Sequence, residues 1–399
     1  MKRLLQGVRV LDLANVLAGP FAGYQLALLG AEVIKVENPG SGDLARNLGA
    51  DKARNASGMG TSFLAQNAGK KSITLNLKTE QGKEVFRKLC ASADVLLENF
   101  RPGVMQRLGL GYEDLRRVRP ELVYCAISGY GQTGPLAASP AYDQIIQGRS
   151  GVMSITGDAQ SAPLRVGYPV CDTIGGLTAA FAIAAALVQR GRDGAGCFLD
   201  VSMLDSALVT MGWIVSNQLI AKRPPVPMGN DNFTASPSGT FRTREGLINI
   251  AAIKQEQFEK LCALLGLPEL AADPRFADRE DRKRHRQELT ALLEQGLAEG
   301  TAPYWDELLN RHGVPAGQVL TVEQALTQDQ VRHRGLLMNM PLPPGGEEIT
   351  LTRNGFLVDG ECSAVQSPPP ALGEHTDDIL HALGYGDESI ARMREEGVI

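Results

Sequence analysis

A chain of 399 residues allows two or three domains, or one large domain carrying an insertion. With 43% hydrophobic and 21% charged residues it has ordinary globular usage, which excludes disorder, collagen and coiled coil. The net charge of -5 gives no global attraction to nucleic acid or an anionic membrane.

The first half alternates strand-like and helix-like stretches. Val8–Leu13 is a short β-rich run, Gly19–Gly30 reads as a helix ended by Gly30, and Glu32–Val36 is a second strand. Ser72–Leu75 starts another, followed by a helix over Thr79–Ala91. Asp94–Glu98 and Leu122–Ile127 complete the series. Short apolar strands spaced by helices predict a parallel α/β sheet covered on both faces. From Asp172 a long helix runs to Gly191, then the strand Cys197–Met203 and one helix from Leu204 to Ala221. Arg223–Gly239, rich in Pro, Gly, Asn and Ser, reads as a linker or binding loop. Leu247–Ala252 is strand-like, and Gln255–Leu265, His285–Leu297 and Tyr304–Arg311 are helix-like. The mixed-charge run Arg279–Arg286 reads as a solvated helix start. A hairpin is expected around Glu348–Val358, then the loop SPPPALGEHT and two terminal helices. Residues 222–325 read as a small second domain.

The six cysteines, with no CxxC pair, read as reduced buried thiols rather than a disulfide frame or a zinc site. Lys2 and Arg3 open the chain, but Arg9 and Asp12 break the apolar run a signal peptide needs. A cytoplasmic protein is expected. Thr173–Gln189 is uncharged and apolar yet shorter than the roughly 20 residues of a membrane span, so a buried helix is expected.

Gly129-Tyr130-Gly131-Gln132-Thr133-Gly134 matches a dinucleotide fingerprint after a strand, but Pro135 follows and no helix opens there, so a glycine-rich loop is expected. None of the five histidines pairs at metal spacing, and no metal is expected. Asp172 stands before the long helix, where aspartate is a good N-cap. Gly175 and Gly176 follow in its first turns at a cost of roughly 1 kcal/mol each against alanine. Their presence suggests that something approaches the backbone closely. An ionised carboxylate beside open N–H groups suits nucleophilic catalysis, and at an ordinary pKa near 3.9 it needs no general base.

The opening GVRVLDLANVLAGPFAGYQLALLGAEVIKVENPGSGD, then SITLNLKTEQGKEV, LLENFRPGVMQRLGL, AYDQIIQGRSGVMSITG, GYPVCD and PPPALGEHTDDILHALGY, stand in register. In these segments the chain resembles the class III CoA-transferases. The resemblance implies a Rossmann-like large domain built from both chain ends, 1–221 with 326–399, a small inserted α+β domain over 222–325, and an interlocked homodimer. It implies Asp172 as the nucleophile, forming an aspartyl anhydride and then an aspartyl-CoA thioester, with acyl-CoA and a small carboxylic acid as substrates. Coenzyme A contacts carry over to Val16, Leu17, Leu75, Asn76, Lys78, Asn99, Phe100, Arg101 and Arg107, with Tyr142 near the reacting end. Formyl-CoA transferase differs in having arginine at the place of Asn38, lysine at that of Pro140, and a four-glycine loop where this chain reads MGNDNFTASPSG. That departure favours larger dicarboxylic or hydroxy acids over the formyl-CoA and oxalate pair.

Two other readings share the pattern. The α-methylacyl-CoA racemases use a histidine and the equivalent aspartate as an acid/base pair, but their GHD reads Ala141-Tyr142-Asp143 here. A non-catalytic acyl-CoA-binding protein would have no use for Asp172.

Overall fold

The computed structural model describes residues 2–342 and 346–399. The chain divides into two units. The first comprises Met1–Val152, Arg165–Arg223 and Gln330–Ile399, and the second Met153–Leu164 and Pro224–Asp329. The insertion read from sequence spans 222–325; in the structure residues 153–164 also join the second unit.

The first unit is built on six parallel strands: β1 (Arg9–Asp12), β2 (Glu32–Glu37), β3 (Lys70–Thr74), β4 (Val95–Glu98), β5 (Val123–Ser128) and β6 (Cys197–Ser202). Their order across the sheet is β3-β2-β1-β4-β5-β6. The chain thus leaves β1 in one direction, returns, and continues from β4 in the other. Helices relevant to the site are α1 (Ala18–Leu28), α2 (Glu80–Ala91), α3 (Asp143–Ser150), α4 (Val170–Asp193) and α5 (Met203–Thr210). Successive strand residues point to opposite faces. Val10 and Leu97 therefore enter one core with Ala22 of α1 and Ala179 of α4, while Leu11 and Leu96 enter the other with Val85, Phe86 and Leu89 of α2. Two covered faces explain why the strands read as apolar runs rather than as alternating ones. The Thr79 hydroxyl caps α2, accepting the Gly82 N–H at 3.1 Å.

Several expectations need correction. The helix expected from Leu204 to Ala221 is two, breaking at Met211 between α5 and a helix over Gly212–Leu219. Helix α4 is not fully buried: Phe181 is 77% exposed, and Leu177 and Val188 about half exposed, because only one side of it meets α1, α5 and the sheet. The hairpin pairs Leu337–Leu342 with Glu347–Thr352, and a smaller one follows at Leu357–Val358 and Glu361–Cys362. All six cysteines are free, and Cys197 and Cys362 are only partly buried.

The second unit has an antiparallel sheet of β7 (Ser238–Arg242), β8 (Leu247–Ala251) and β9 (Ala316–Gln318). Phe241, Ile248 and Ile250 pack there with Phe258, Leu289 and Leu293 of its helices. The charged run at Arg279–Arg286 is not wholly solvated. Arg282 is buried, donates to Ser236 O, Phe276 O and Gln255 Oε1, and lies over the Phe258 ring at 4.4 Å. Those three acceptors and the ring replace the water a guanidinium loses on burial.

Candidate active site

In an open parallel sheet the strand carboxyl ends diverge where the order reverses, and a crevice forms there. Here that point lies between β1 and β4. A cavity of about 270 Å³ opens at it. Its walls are Asn15–Leu17 after β1, Ala18 at the start of α1, Asn99–Arg101 after β4, Ile127 and Ser128 at the end of β5 and Gly129 after it, Ala141 and Tyr142 before α3, Asp172 in α4, and Met203.

The loop after β1 is strained. Val16 has φ +68°, a left-handed conformation in which a β-branched side chain is crowded. The surroundings hold it. Val16 N–H donates to Asp43 Oδ1 at 2.9 Å. Asn15 and Asn99 exchange two hydrogen bonds, both 2.8 Å, tying the loop after β1 to the loop after β4. Beneath them Lys35 pairs with Asp43 at 2.8 Å and Lys70 with Asp12 at 2.7 Å, all four side chains fully buried. Lys35 also donates to Ala14 O, and Lys70 to Pro20 O, so both cations grip the β1–α1 connection. Burial works against the Lys35 charge, but the carboxylates of Asp12, Asp43 and Glu37 outweigh it and raise its pKa. Lys70 is pulled down to about 8, chiefly by burial.

Asp172 lies in the first turn of α4, three residues after the cap Pro169, so it is not the N-cap. Another aspartate serves that end. Asp143 Oδ1 accepts N–H groups from Cys171 at 2.7 Å and Asp172 at 3.3 Å. Among the described residues no donor reaches the Asp172 carboxylate. Burial, and secondarily the charge of Asp143, raise its pKa to about 7. The expectation of an ordinary, fully ionised carboxylate at neutral pH is thereby corrected, although the α4 N-terminus favours the charged form.

The close approach suggested by the paired glycines is made by the protein's own elements. A Cβ on Gly176 would stand 2.5 Å from Ala18 O, and one on Gly175 would stand 3.0 Å from Met203 Cγ. They let α4 approach α1 and Met203 closely. The Gly129–Gly134 segment is a loop, as expected, and Gly129 lines the cavity.

A larger cavity of about 430 Å³ lies within the second unit, among Asn230, Asp231, Asn232, Ser238 and Asn249. Its lining is amides, the Ser238 hydroxyl, the Asp231 carboxylate and backbone.

A family model described as CoA-transferase family III matches residues 5–376. The chain belongs to that family. It is 38% identical over 396 residues to the succinyl-CoA:glutarate CoA-transferase of Mus musculus, covering 99% of this chain and 90% of the relative. It is 40% identical over 333 residues to the acetyl-CoA:oxalate CoA-transferase of Acetobacter aceti, covering 83% and 85%. A crystal structure of a CAIB/BAIF family protein from Brucella suis superposes with a TM-score of 0.84 at 36% identity, covering 96% of this chain and 100% of that one. The protein is therefore an enzyme of the CoA-transferase class, whose substrates are CoA thioesters.

In this CoA-transferase, Val16, Leu17, Asn99, Phe100, Arg101, Tyr142 and Asp172 come together around one cavity. Leu75, Asn76, Lys78 and Arg107 do not line it. Leu75 is a core side chain. Asn76 is tied to the Gly397 and Val398 carbonyls, and Lys78 is exposed in the connection from β3 to α2, beyond a strand that lies two away from β1. Arg107 is exposed in the turn after β4. Asn38 closes its own loop, donating to Pro39 O and Ser41 Oγ. Sequence reasoning missed Asp43, Lys35, Lys70 and Asp143, whose roles come from partners distant in sequence.

Proposed function

We propose that this enzyme moves CoA from an acyl-CoA to a carboxylic acid through covalent intermediates on Asp172. The Asp172 carboxylate attacks the thioester carbonyl and expels CoA thiolate, leaving a mixed anhydride. The thiolate then attacks the aspartyl carbonyl, releasing the donor acid and leaving an aspartyl-CoA thioester. The acceptor carboxylate attacks that thioester, regenerating an anhydride and thiolate. The thiolate finally takes the acceptor acyl group, and Asp172 is free again. One thioester is exchanged for another, so no ATP or metal enters the scheme.

One observation supports this reading: a half-buried carboxylate with no hydrogen-bond donor on it among the described residues faces the crevice at the sheet's switch point. A carboxylate kept from its own helix cap retains its lone pairs for attack. We place the thioester arm of CoA between the strained Val16–Leu17 loop and Asn99–Arg101, and the nucleotide end along the strand ends toward Asn76 and Lys78. Tyr142, 66% exposed on the cavity wall, would position the acyl group. No histidine lines the cavity, which leaves an α-proton exchange without its second base. For the acids, we favour dicarboxylates, the class named for both relatives.

Asp172→Asn and Asp172→Ala should each lower transfer by roughly 10³-fold or more, as for loss of a nucleophile. Hydroxylamine added during turnover should trap one hydroxamate, on the peptide containing Asp172. An active Asn variant, or an adduct elsewhere, would sink the mechanism.

We further infer a homodimer. The support is an apolar surface on the first unit alone: Phe181, Val209, Trp213 and Ile220 are each more than 70% exposed. Exposed apolar clusters of this kind are usually covered in the working protein.

A further inference from the structure

The segment leading into α4 is held to α3 by two side chains. Gln147 Oε1 accepts Val166 N–H at 2.8 Å, and its Nε2 donates to Tyr168 O at 3.3 Å and to Asp143 Oδ2 at 2.6 Å. Asp143 Oδ1 then takes the Cys171 and Asp172 N–H groups. Gln147 is fully buried and Asp143 nearly so. Both carboxylate oxygens of Asp143 are used, and neither residue lines the cavity.

We propose that Asp143 is a positioning residue that sets both the orientation and the basicity of Asp172. This deepens the assignment of Asp172 as nucleophile and rests on it. The physical reason has two parts. A first-turn aspartate can fold back onto its own helix N–H groups, which would consume its lone pairs. Asp143 occupies those groups from another helix, so the Asp172 carboxylate is left to the crevice. Its own negative charge, held close to Asp172, also disfavours ionisation there and makes the carboxylate a stronger base and nucleophile once formed. The other ionisable groups around Asp172 are Cys171 beside it, Tyr142 at the start of α3, and Arg101 across the cavity; the walls from β1, β5 and Met203 contribute none. Among the described residues Asp143 is thus the one carboxylate whose charge acts on Asp172, in line with the pKa raised by burial and then by Asp143.

The test is the pH dependence of single-turnover labelling, with a donor acyl-CoA and hydroxylamine, read as hydroxamate on the Asp172 peptide. Asp143→Asn and Asp143→Ser keep a capping oxygen and remove the charge. In either, the pH midpoint of labelling should move down by about one unit, with a lower plateau rate. Gln147→Met keeps the charge and loosens the segment, so it should lower the plateau with the midpoint unmoved. A midpoint unchanged in both neutral variants would overturn the proposal, leaving Asp143 an ordinary cap. Either neutral variant suffices if the other fails to fold. Absence of hydroxamate on Asp172 in the parent enzyme would instead overturn the nucleophile assignment beneath it.

Discussion

Asp172 carries a cost that can be measured without substrate. Its folded pKa is about 7, above the unfolded value, so the folded state binds a proton more tightly than the unfolded chain between about pH 4 and pH 7. Stability must therefore fall as pH rises through that window. The full effect is on the order of 2–4 kcal/mol above pH 7. Asp172→Asn removes it, so the variant should melt higher than the parent at pH 8 and level with it near pH 4. An N-cap role would give no such crossing. With Asp172 as the proposed nucleophile, the same titration predicts that transfer rises with pH through about 7 as it ionises, an acidic limb that a pH–rate series would locate. That Asp172 stands at the start of the long helix was legible in the sequence; that it lies inside the first turn was not. Nor was its protonation, since burial and the Asp143 partner come from a segment 29 residues away.

At the scale of elements, the contact between α1 and α4 sets how closely Asp172 approaches the crevice. Gly176→Ala would place a methyl group 2.5 Å from Ala18 O, a backbone atom on the cavity rim that cannot swing aside. The helices must part, at a cost of typically 1–3 kcal/mol. We expect a lower melting temperature together with a raised KM for acyl-CoA, because the displaced rim is part of the site. Gly191→Ala, where a Cβ meets nothing, should leave KM unchanged and, by removing a glycine from a helix, raise the melting temperature slightly. The order of strands and helices was readable from apolar runs and glycine stops. The break at Met211 was not, because the apolar pattern of residues 204–221 continues across it and a single glycine, Gly212, is tolerated inside a helix. The strain at Val16 was also invisible: its cause is the hydrogen bond to Asp43, and valine itself gives no hint of a left-handed turn.

For the whole molecule, the decisive surface is the uncovered side of α4 and the helices after β6. Val170–Asp193 is long and apolar enough to cross a membrane by composition, and the structure leaves much of its apolar side open. If a second copy covers it, sedimentation should give twice the chain mass of 42.7 kDa at micromolar concentration. Phe181→Asp with Trp213→Asp should then shift the species toward monomer or precipitate. A stable monomer in the unmodified protein would refute the dimer. The parallel sheet was predictable because local runs specify it. The open apolar side was not, since a half-covered and a fully covered apolar helix read alike in one sequence.

The outer edge of the sheet, β3, is completed by residues made long after it. Ser72 and Thr74 bond to His375, Gly373 and Thr376, partners 301 to 303 positions later, and Asn76 bonds to Val398. On the ribosome, β3 must therefore wait for about 300 further residues before these groups find their native partners, and at 5–20 residues per second that is at least about 15 seconds. Throughout that interval the nascent chain presents an unshielded strand, the kind of edge that recruits foreign strands. Yield during synthesis, rather than stability once folded, is where this architecture is most exposed, and it should respond to translation rate and to holding chaperones.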